Sequence, residues 1–594
     1  MLYNRKFAEF IETNKFPLLV FFSSLFILIS FAGTRLFFSD EGVILDQFNN
    51  LIHGSLALKF AKINTAKGGF ILIGNNLYGV FSYSLLFLSL PAYYILSKID
   101  ILFGAHLFLL NIWAFCGGIV VFLAANIRKS KFAALFGYLA IFILMTINLY
   151  FFKPIYFPKW GELLSIEFTN ILISALLVLI VYLFFKDLFG NRIGMFASIF
   201  IILATPISFY AITIKHHNLT LLLTVIAFYS FYKYIEKKQN KFIYLAYILA
   251  GLCVWVRILD GAVLMISLII ADILLFKRSL RYILTISIII LISLIPFFTL
   301  NYLVLGDPFL IIEKTPLTDK SVTLYIANDY ISLDENPEKD KQIELLNQLG
   351  FTWNTNIDVN WLEIMVYALF SKLNNTFGVF VFSPFLIIAL AFTIDMIKWK
   401  VKPDRLDIFF GIYLIFLLGT YSLLQIGFNI NSLITIITHT PMVLEYRYLI
   451  VLYVVLLYFV FRINKVKKLI EDKIQKIFLL SGIFLIIFLI LFAGSYPIAF
   501  MNFYYFIATV TTIILLILVS IPLLRKSEKS PDAIYDNFLT FIIAFALAEA
   551  STLLIFYFWV VNMTYISPQQ NFMIVPVHEN IMKQIEGFIY NIVI

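Results

Sequence analysis

The sequence is a succession of apolar runs, most of them about twenty residues long, separated by short linkers that hold most of the basic residues. A run of that length crosses a hydrocarbon core as a helix, and in lipid only helices and closed barrels satisfy their own backbone. The first run, Phe16 to Phe38, sets the pattern. Composition agrees, because 62% of the 594 residues are hydrophobic and 13% are charged, well below the charged share of about a quarter in soluble domains. The fold expected is all-α: a polytopic membrane bundle of about 13–16 transmembrane helices, with interfacial helices in the first outer loop and an extracytoplasmic cap loop.

Charge and cysteine usage exclude several classes. The net charge of +9 does not point to a nucleic acid, because Lys and Arg cluster in linkers, where membrane topology puts them. Cys116 and Cys253 lie inside apolar runs without ligand-like spacing, so neither a disulfide framework nor a zinc site is indicated. The first run is long and lacks a small-residue cleavage site, which marks a retained span rather than a removed signal peptide.

The linkers fix an expected orientation. With Arg5, Lys6 and Lys15 cytoplasmic, the basic turns at Arg128–Lys131, Lys186 with Arg192, Lys233–Lys241, Lys277–Arg281, Lys398–Arg405, Arg462–Lys476 and Arg525–Lys529 alternate consistently as cytoplasmic ends. Two apolar stretches, Gly79–Ser97 and Ile101–Asn126, then lie where only one crossing fits. The shorter one, which carries Pro91, is expected to be an interfacial or re-entrant helix on the outer face. The count becomes about fifteen spans, with the C-terminus outside. Three parts are expected. Residues 1–304 form an N-terminal transmembrane module with a functional first outer loop at 39–78, residues 305–376 form an extracytoplasmic loop, and residues 377–594 form C-terminal spans and an outer tail.

The chemistry collects on one side. Ser39-Asp40-Glu41 places two carboxylates directly after the first span, a depth at which charge is expensive and marks a functional site by default. The same expected face receives Asp46 and His53, then Lys215-His216-His217, then Arg257 and Asp260, then Glu445-Tyr446-Arg447. Singly, each of these reads as a solvated helix end or a snorkelling anchor, whereas together four chain segments supply acids and bases to one surface. A carboxylate can take a proton from a hydroxyl or amine, and a Lys or Arg can stabilise charge on a departing phosphate. That pairing suits glycosyl transfer from a lipid phosphate. No glycine-rich phosphate loop is present, and Lys67-Gly68-Gly69 reads as a turn. The 65 Phe and 33 Tyr residues mostly fall within spans, where they face lipid or pack helices, so none is assigned to a sugar.

These residues resemble a known group. A first span followed by Asp40-Glu41, an outer loop with short helices and many further spans looks like the GT-C superfamily of integral membrane glycosyltransferases, which includes protein O-mannosyltransferases and lipid A aminoarabinose transferases. Matching pieces are Asn301-Tyr302 with Leu305–Phe309, Gly378–Phe385, Glu445–Leu449 and Val256–Gly261. In the last, Ile258 or Leu259 stands where the family has a proline between Arg and Asp. The resemblance covers roughly the first 460 residues.

The resemblance implies a monosaccharide donor on polyprenyl phosphate, and a lipid, glycan or protein acceptor at the extracytoplasmic face of the cell membrane. It implies Asp40 as the inverting general base with Glu41 as its acidic neighbour. Arg257, then Lys215, then Arg447 are the candidates for the donor phosphate, with His216, His217, Glu445, His53 and Asp260 as further substrate contacts. No cofactor is expected, although Asp46 would be the second acid of a metal-dependent variant. Adjacent histidines on a helix point apart, which disfavours chelation by His216 and His217 together. The tryptophan-rich signature of oligosaccharyltransferases is missing, which points to transfer of one sugar at a time. Two rival classes stay open. A polyprenyl-sugar flippase or transporter would place its charges near the midplane, and an outer-face polysaccharide polymerase would rely on a large late loop.

Overall fold

The computed structural model describes residues 2–36, 41–59, 70–73, 76–309, 322–323, 361–370, 372–373, 376–399, 402–423, 449–492, 497–524, 533–563, 573–581 and 584. Apolar runs become helices wherever sequence alone allows it, and the breaks fall at Gly, Pro or charge. Helix α1 (Leu2–Phe31) leads to α2 (Glu41–Ile52), then to a hairpin of β1 (Phe70–Ile73) and β2 (Asn76–Gly79). Next come α3 (Ser84–Phe103), α4 (Ala105–Ile127), α5 (Ala133–Tyr150), α6 (Phe157–Phe189) and α7 (Asn191–Leu203). The short α8 (Ile207–Ala211) precedes α9 (His217–Lys237), α10 (Asn240–Val256), α11 (Ile258–Leu275), α12 (Leu280–Ser293) and α13 (Ile295–Leu305). Further helices occupy Ile388–Trp399, Arg405–Leu423, Leu452–Arg462, Asn464–Phe492, Pro497–Leu524 and Ala533–Met563.

Among the described residues twelve helices are long and apolar enough to cross a membrane, and four shorter apolar helices accompany them. The protein is a polytopic helical bundle. One of the twelve, α3, meets the length criterion yet does not run with the others. Before its start, Ser82 donates to the carbonyl of Trp255 at the end of α10. In its middle, Tyr93 stacks on Phe157 at the start of α6. In its last turn, Asp100 accepts from the Ala105 N–H, and His106 just past the end reaches Ile574, which is bonded to Ala32 at the end of α1. All three contacts belong to one end of the bundle, so α3 lies across that end, as the clash between two apolar stretches and one crossing requires. Without α3, eleven of the twelve candidate spans remain among the described residues, accompanied by the four shorter apolar helices.

Basic turns gather at the opposite end. Gly190, at φ +97°, turns α6 into α7, and Lys129 and Lys238 adopt left-handed φ values of 58° and 57° in the turns after α4 and α9. Aromatic side chains do what their positions inside spans suggest. Phe228, fully buried on α9, meets Phe409, Phe410 and Tyr413 edge-on with ring centres 5.6, 5.0 and 5.0 Å away. Beside α1, a mostly apolar cleft of about 460 Å³ is bounded by Phe26, Phe31, Trp113, Leu144, Leu554 and Phe558, and its lining residues Ile147 and Leu203 are exposed on the lipid-facing side.

The expected loop at 305–376 falls largely outside the described residues. Within it, the strand Val322–Thr323 pairs antiparallel with β1, Leu72 facing Thr323 and Ile73 facing Val322, to give the sheet order β2, β1, Val322–Thr323. The first loop and the long loop therefore share a sheet.

Candidate functional site

Helix α1 ends at Phe31, and Asp40 lies outside the described residues. Its neighbour Glu41 opens α2, where a carboxylate favours the positive end of the helix dipole. Glu41 is fully buried, and its Oε1 accepts the Ile214 N–H at 3.2 Å. A buried carboxylate bonded to a backbone amide 173 residues away fixes the first loop against the segment between α7 and α9.

That segment is shaped by Asn170 on α6. Its amide nitrogen lies 2.8, 2.8 and 3.1 Å from the carbonyl oxygens of Tyr210, Thr213 and Lys215, donating to a chain that Pro206 has already bent out of α7. Lys215, 3% exposed, holds its ammonium 5.2 Å from the ring centre of Phe81. The imidazoles of His216 and His217 are 5.6 Å apart, and His217 meets Tyr210 edge-on at 5.0 Å. Phe81 belongs to the turn before α3, which is pinned by Gln47 of α2 donating to the Phe81 carbonyl at 3.0 Å. Ser82 in the same turn donates to the Trp255 carbonyl at 3.1 Å. One turn thus joins α2, Lys215 and the chain entering Arg257.

Arg257 breaks α10 from α11, with an extended φ of −149° and ψ of 111°. Its guanidinium bonds Asp260 Oδ2 at 2.7 Å, and Tyr421 donates to Asp260 Oδ1 at 2.7 Å. A Cβ at Gly261 would collide with the backbone nitrogen of Val254, so glycine permits the close crossing that aims Arg257. Both members of the pair are largely buried, 10% and 1% exposed, and the neutral Tyr421 completes the carboxylate's hydrogen bonding.

The structure therefore brings together Glu41, Lys215, His216 and His217, with the Arg257–Asp260 pair beside them through the Phe81–Ser82 turn. His53 stands apart at the exposed end of α2, where its Nδ1 donates to the Asn49 carbonyl at 2.7 Å. Asp46 is buried on α2 at 3% exposure, not at a solvated helix surface as its ordinary reading suggests. Glu445 and Arg447, like Asp40, lie outside the described residues. Among the described residues no three His, Cys, Asp or Glu side chains are grouped so as to hold a metal ion.

Sequence reasoning missed Glu167. This α6 residue, 2% exposed, accepts the Gly33 N–H at 3.1 Å through Oε1, and its charged neighbours are Glu41 and Arg35. The signal was present: a carboxylate inside an apolar run is a functional candidate by default. Tyr421 and Asn170 carried no comparable mark, because an aromatic or an amide within a span is ordinary.

Residues 161–302 match the model of the dolichyl-phosphate-mannose-protein mannosyltransferase family. The matched stretch contains Glu167, Asn170, Lys215–His217, Arg257 and Asp260, and it is a GT-C glycosyltransferase segment, as the resemblance of the motifs implies. No curated protein matches the chain. Among solved structures, the chain is similar to ArnT from Cupriavidus metallidurans bound to undecaprenyl phosphate, with 12% identity and a TM-score of 0.42 over 91% of this chain and 76% of that one. It is also similar to the apo state of ArnT, with 11% identity and a TM-score of 0.38 over 94% and 78%.

Proposed function

We propose that this membrane protein, with its GT-C glycosyltransferase segment, moves a monosaccharide from a polyprenyl-phosphate donor to an acceptor hydroxyl or amine at the bundle end where α2 meets Lys215. The observation that carries this reading is the burial of Glu41 against Ile214, which sets Glu41 beside the buried Lys215 on a segment matched by the mannosyltransferase family. Asp40 takes the acceptor proton as the acceptor atom attacks the anomeric carbon. The bond from that carbon to the phosphate oxygen breaks, the configuration inverts, and polyprenyl phosphate departs with the bonding electrons.

The donor phosphate carries one negative charge and the leaving monoester approaches two. The charge gained is what Arg257 and Lys215, joined by Arg447, stabilise in a site largely closed to water. Asp260 orients the Arg257 guanidinium, and His216, His217 and Glu445 are left to contact sugar or acceptor, whereas His53, at the exposed end of α2, stands outside this group. The apolar cleft beside α1, open on its lipid side, suits lateral entry of a chain that never leaves the bilayer. The reading takes no cofactor, and a metal-dependent variant would draw on Asp46.

The test is transfer of labelled sugar from a panel of polyprenyl-phosphate sugars to membrane acceptors in vesicles. Asp40→Asn is expected to lower the rate about 10²- to 10⁴-fold with donor binding retained, while Arg257→Ala weakens donor binding or departure of the phosphate. A chelator is expected to leave the rate unchanged. Normal turnover by Asp40→Asn would remove it as the base, and exchange of labelled donor between leaflets without any transfer would favour a flippase.

A further inference from the structure

At the end of the bundle opposite Glu41, three cations from three elements surround one aromatic ring. Lys238 follows α9, Arg278 lies between α11 and α12, and Arg405 opens the Arg405–Leu423 helix. Their charged groups stand 5.1, 4.7 and 4.8 Å from the centre of the Phe276 ring. Any two are therefore within roughly 10 Å, about one Debye length at 0.1 M salt, so their repulsion is only partly screened.

The nearby acids are already engaged. Asp272 is bonded by Arg278 and accepts from Tyr282 at 2.8 Å, and Arg278 also donates to Tyr234 at 2.7 Å. Asp187 and Glu236 pair with Lys233, and Asp404 and Asp407 pair with Arg462. Arg278 is thus neutralised within the fold, whereas among the described residues no carboxylate lies within salt-bridge distance of Lys238 or Arg405. Partial burial and the Arg405 and Arg278 guanidinium groups hold the Lys238 ammonium below the ordinary lysine value.

We propose that Lys238, Arg405 and the Phe276 ring form a binding site for the phosphodiester headgroup of an anionic membrane lipid. The depth argues for a lipid. Lys238 immediately follows the candidate span His217–Lys237, Arg405 opens the span Arg405–Ser422, and Phe276 immediately follows the span Ile258–Leu275, so all three sit at headgroup level. A phosphate there supplies the anion the cluster lacks, and basic pockets between helix ends bind anionic headgroups for this reason. The proposal stands apart from the transferase reading, since the site lies at the other end of α9 and α11.

The test uses the full-length protein in phosphatidylcholine nanodiscs, with and without phosphatidylglycerol, and reads Tm and the lipids retained in native mass spectrometry. Phosphatidylglycerol is expected to raise the Tm of the wild type and to remain bound to it. The Lys238→Gln/Arg405→Gln variant should keep the phosphatidylcholine Tm and lose both effects, with Arg278 left in place to hold Asp272. Arg128→Gln/Lys129→Gln, which removes two charges from another basic turn, should retain both effects. Equal losses in the two double variants would reduce the site to general surface charge. An equal rise with inorganic phosphate in phosphatidylcholine alone would overturn a lipid as the occupant, and no response to phosphatidylglycerol would overturn the site.

Discussion

Glu167 is the one charged residue of α6 between Glu162 and Lys186, and it is spent on a single backbone amide, Gly33 N–H, eight residues before Glu41. That amide follows the end of α1, so the carboxylate holds the chain where it leaves the bundle toward Asp40. Its second oxygen is buried without a hydrogen-bond partner among the described residues. An amide oxygen at this position would still accept from Gly33, whereas a methyl would leave the N–H unsatisfied at a cost of about 1–3 kcal/mol. Glu167→Gln is therefore expected to keep most of the transfer rate, and Glu167→Ala to lower kcat more than it changes KM. Equal, wild-type rates in both variants would show that the Gly33 contact positions nothing. The two acids also show how far sequence reaches. Glu41 is legible because it sits at the edge of a span beside Asp40, while Glu167 is hidden because its partner is a backbone amide that no sequence pattern announces.

At the scale of elements, the C-terminal segment behaves as a strap across the site end. Ile574 donates to the Ala32 carbonyl at 2.9 Å, and Met573 bridges Gly33. His106 donates through Nε2 to the Ile574 carbonyl and accepts the Ile155 N–H at Nδ1, which fixes its tautomer. Val577 donates to Asn148 at 3.0 Å, and His578 donates through Nδ1 to the Ser30 carbonyl at 2.9 Å. The sequence placed the tail on the site side through linker charge alone. It had no means of showing that the tail grips the end of α1, because those bonds use backbone groups and two scattered histidines. Burial holds the His578 imidazole below its ordinary value of 6.5. As pH falls through about 6.5, a released strap gains a proton that the docked one resists, so docking is intact above that pH and weakens below it. The Tm of the wild type should therefore fall more between about pH 7.5 and 5.5 than that of His578→Phe, which keeps the ring contacts with Phe31 and Trp113 but cannot titrate. Parallel declines in the two proteins would assign the pH response to other groups.

For the whole molecule, the arrangement of charge selects one orientation. Helix α4 enters at the site end through His106 and leaves at Arg128, α5 returns to the site end at Asn148, and α6 starts there again with Glu162 and Glu167. Each such pair puts its basic turn at the far end, the distribution that a cytoplasmic face retains during insertion. Apolar length alone misassigns α3, and charge bookkeeping corrects it, because a helix with both ends at one face adds no crossing. The site end should then be extracytoplasmic and the Phe276 end cytoplasmic. Cys116 and Cys253 are buried and can be replaced by alanine to leave a chain without thiols. On that background, Tyr156→Cys, between α5 and α6 at the site end and 68% exposed in the native residue, should react with a membrane-impermeant maleimide in intact cells. Lys131→Cys, in the exposed turn between α4 and α5, should react only after the membrane is opened. The reverse pattern would turn the bundle over and put the donor on the cytoplasmic side, where nucleotide-linked sugars would replace polyprenyl phosphate as the first donors to try.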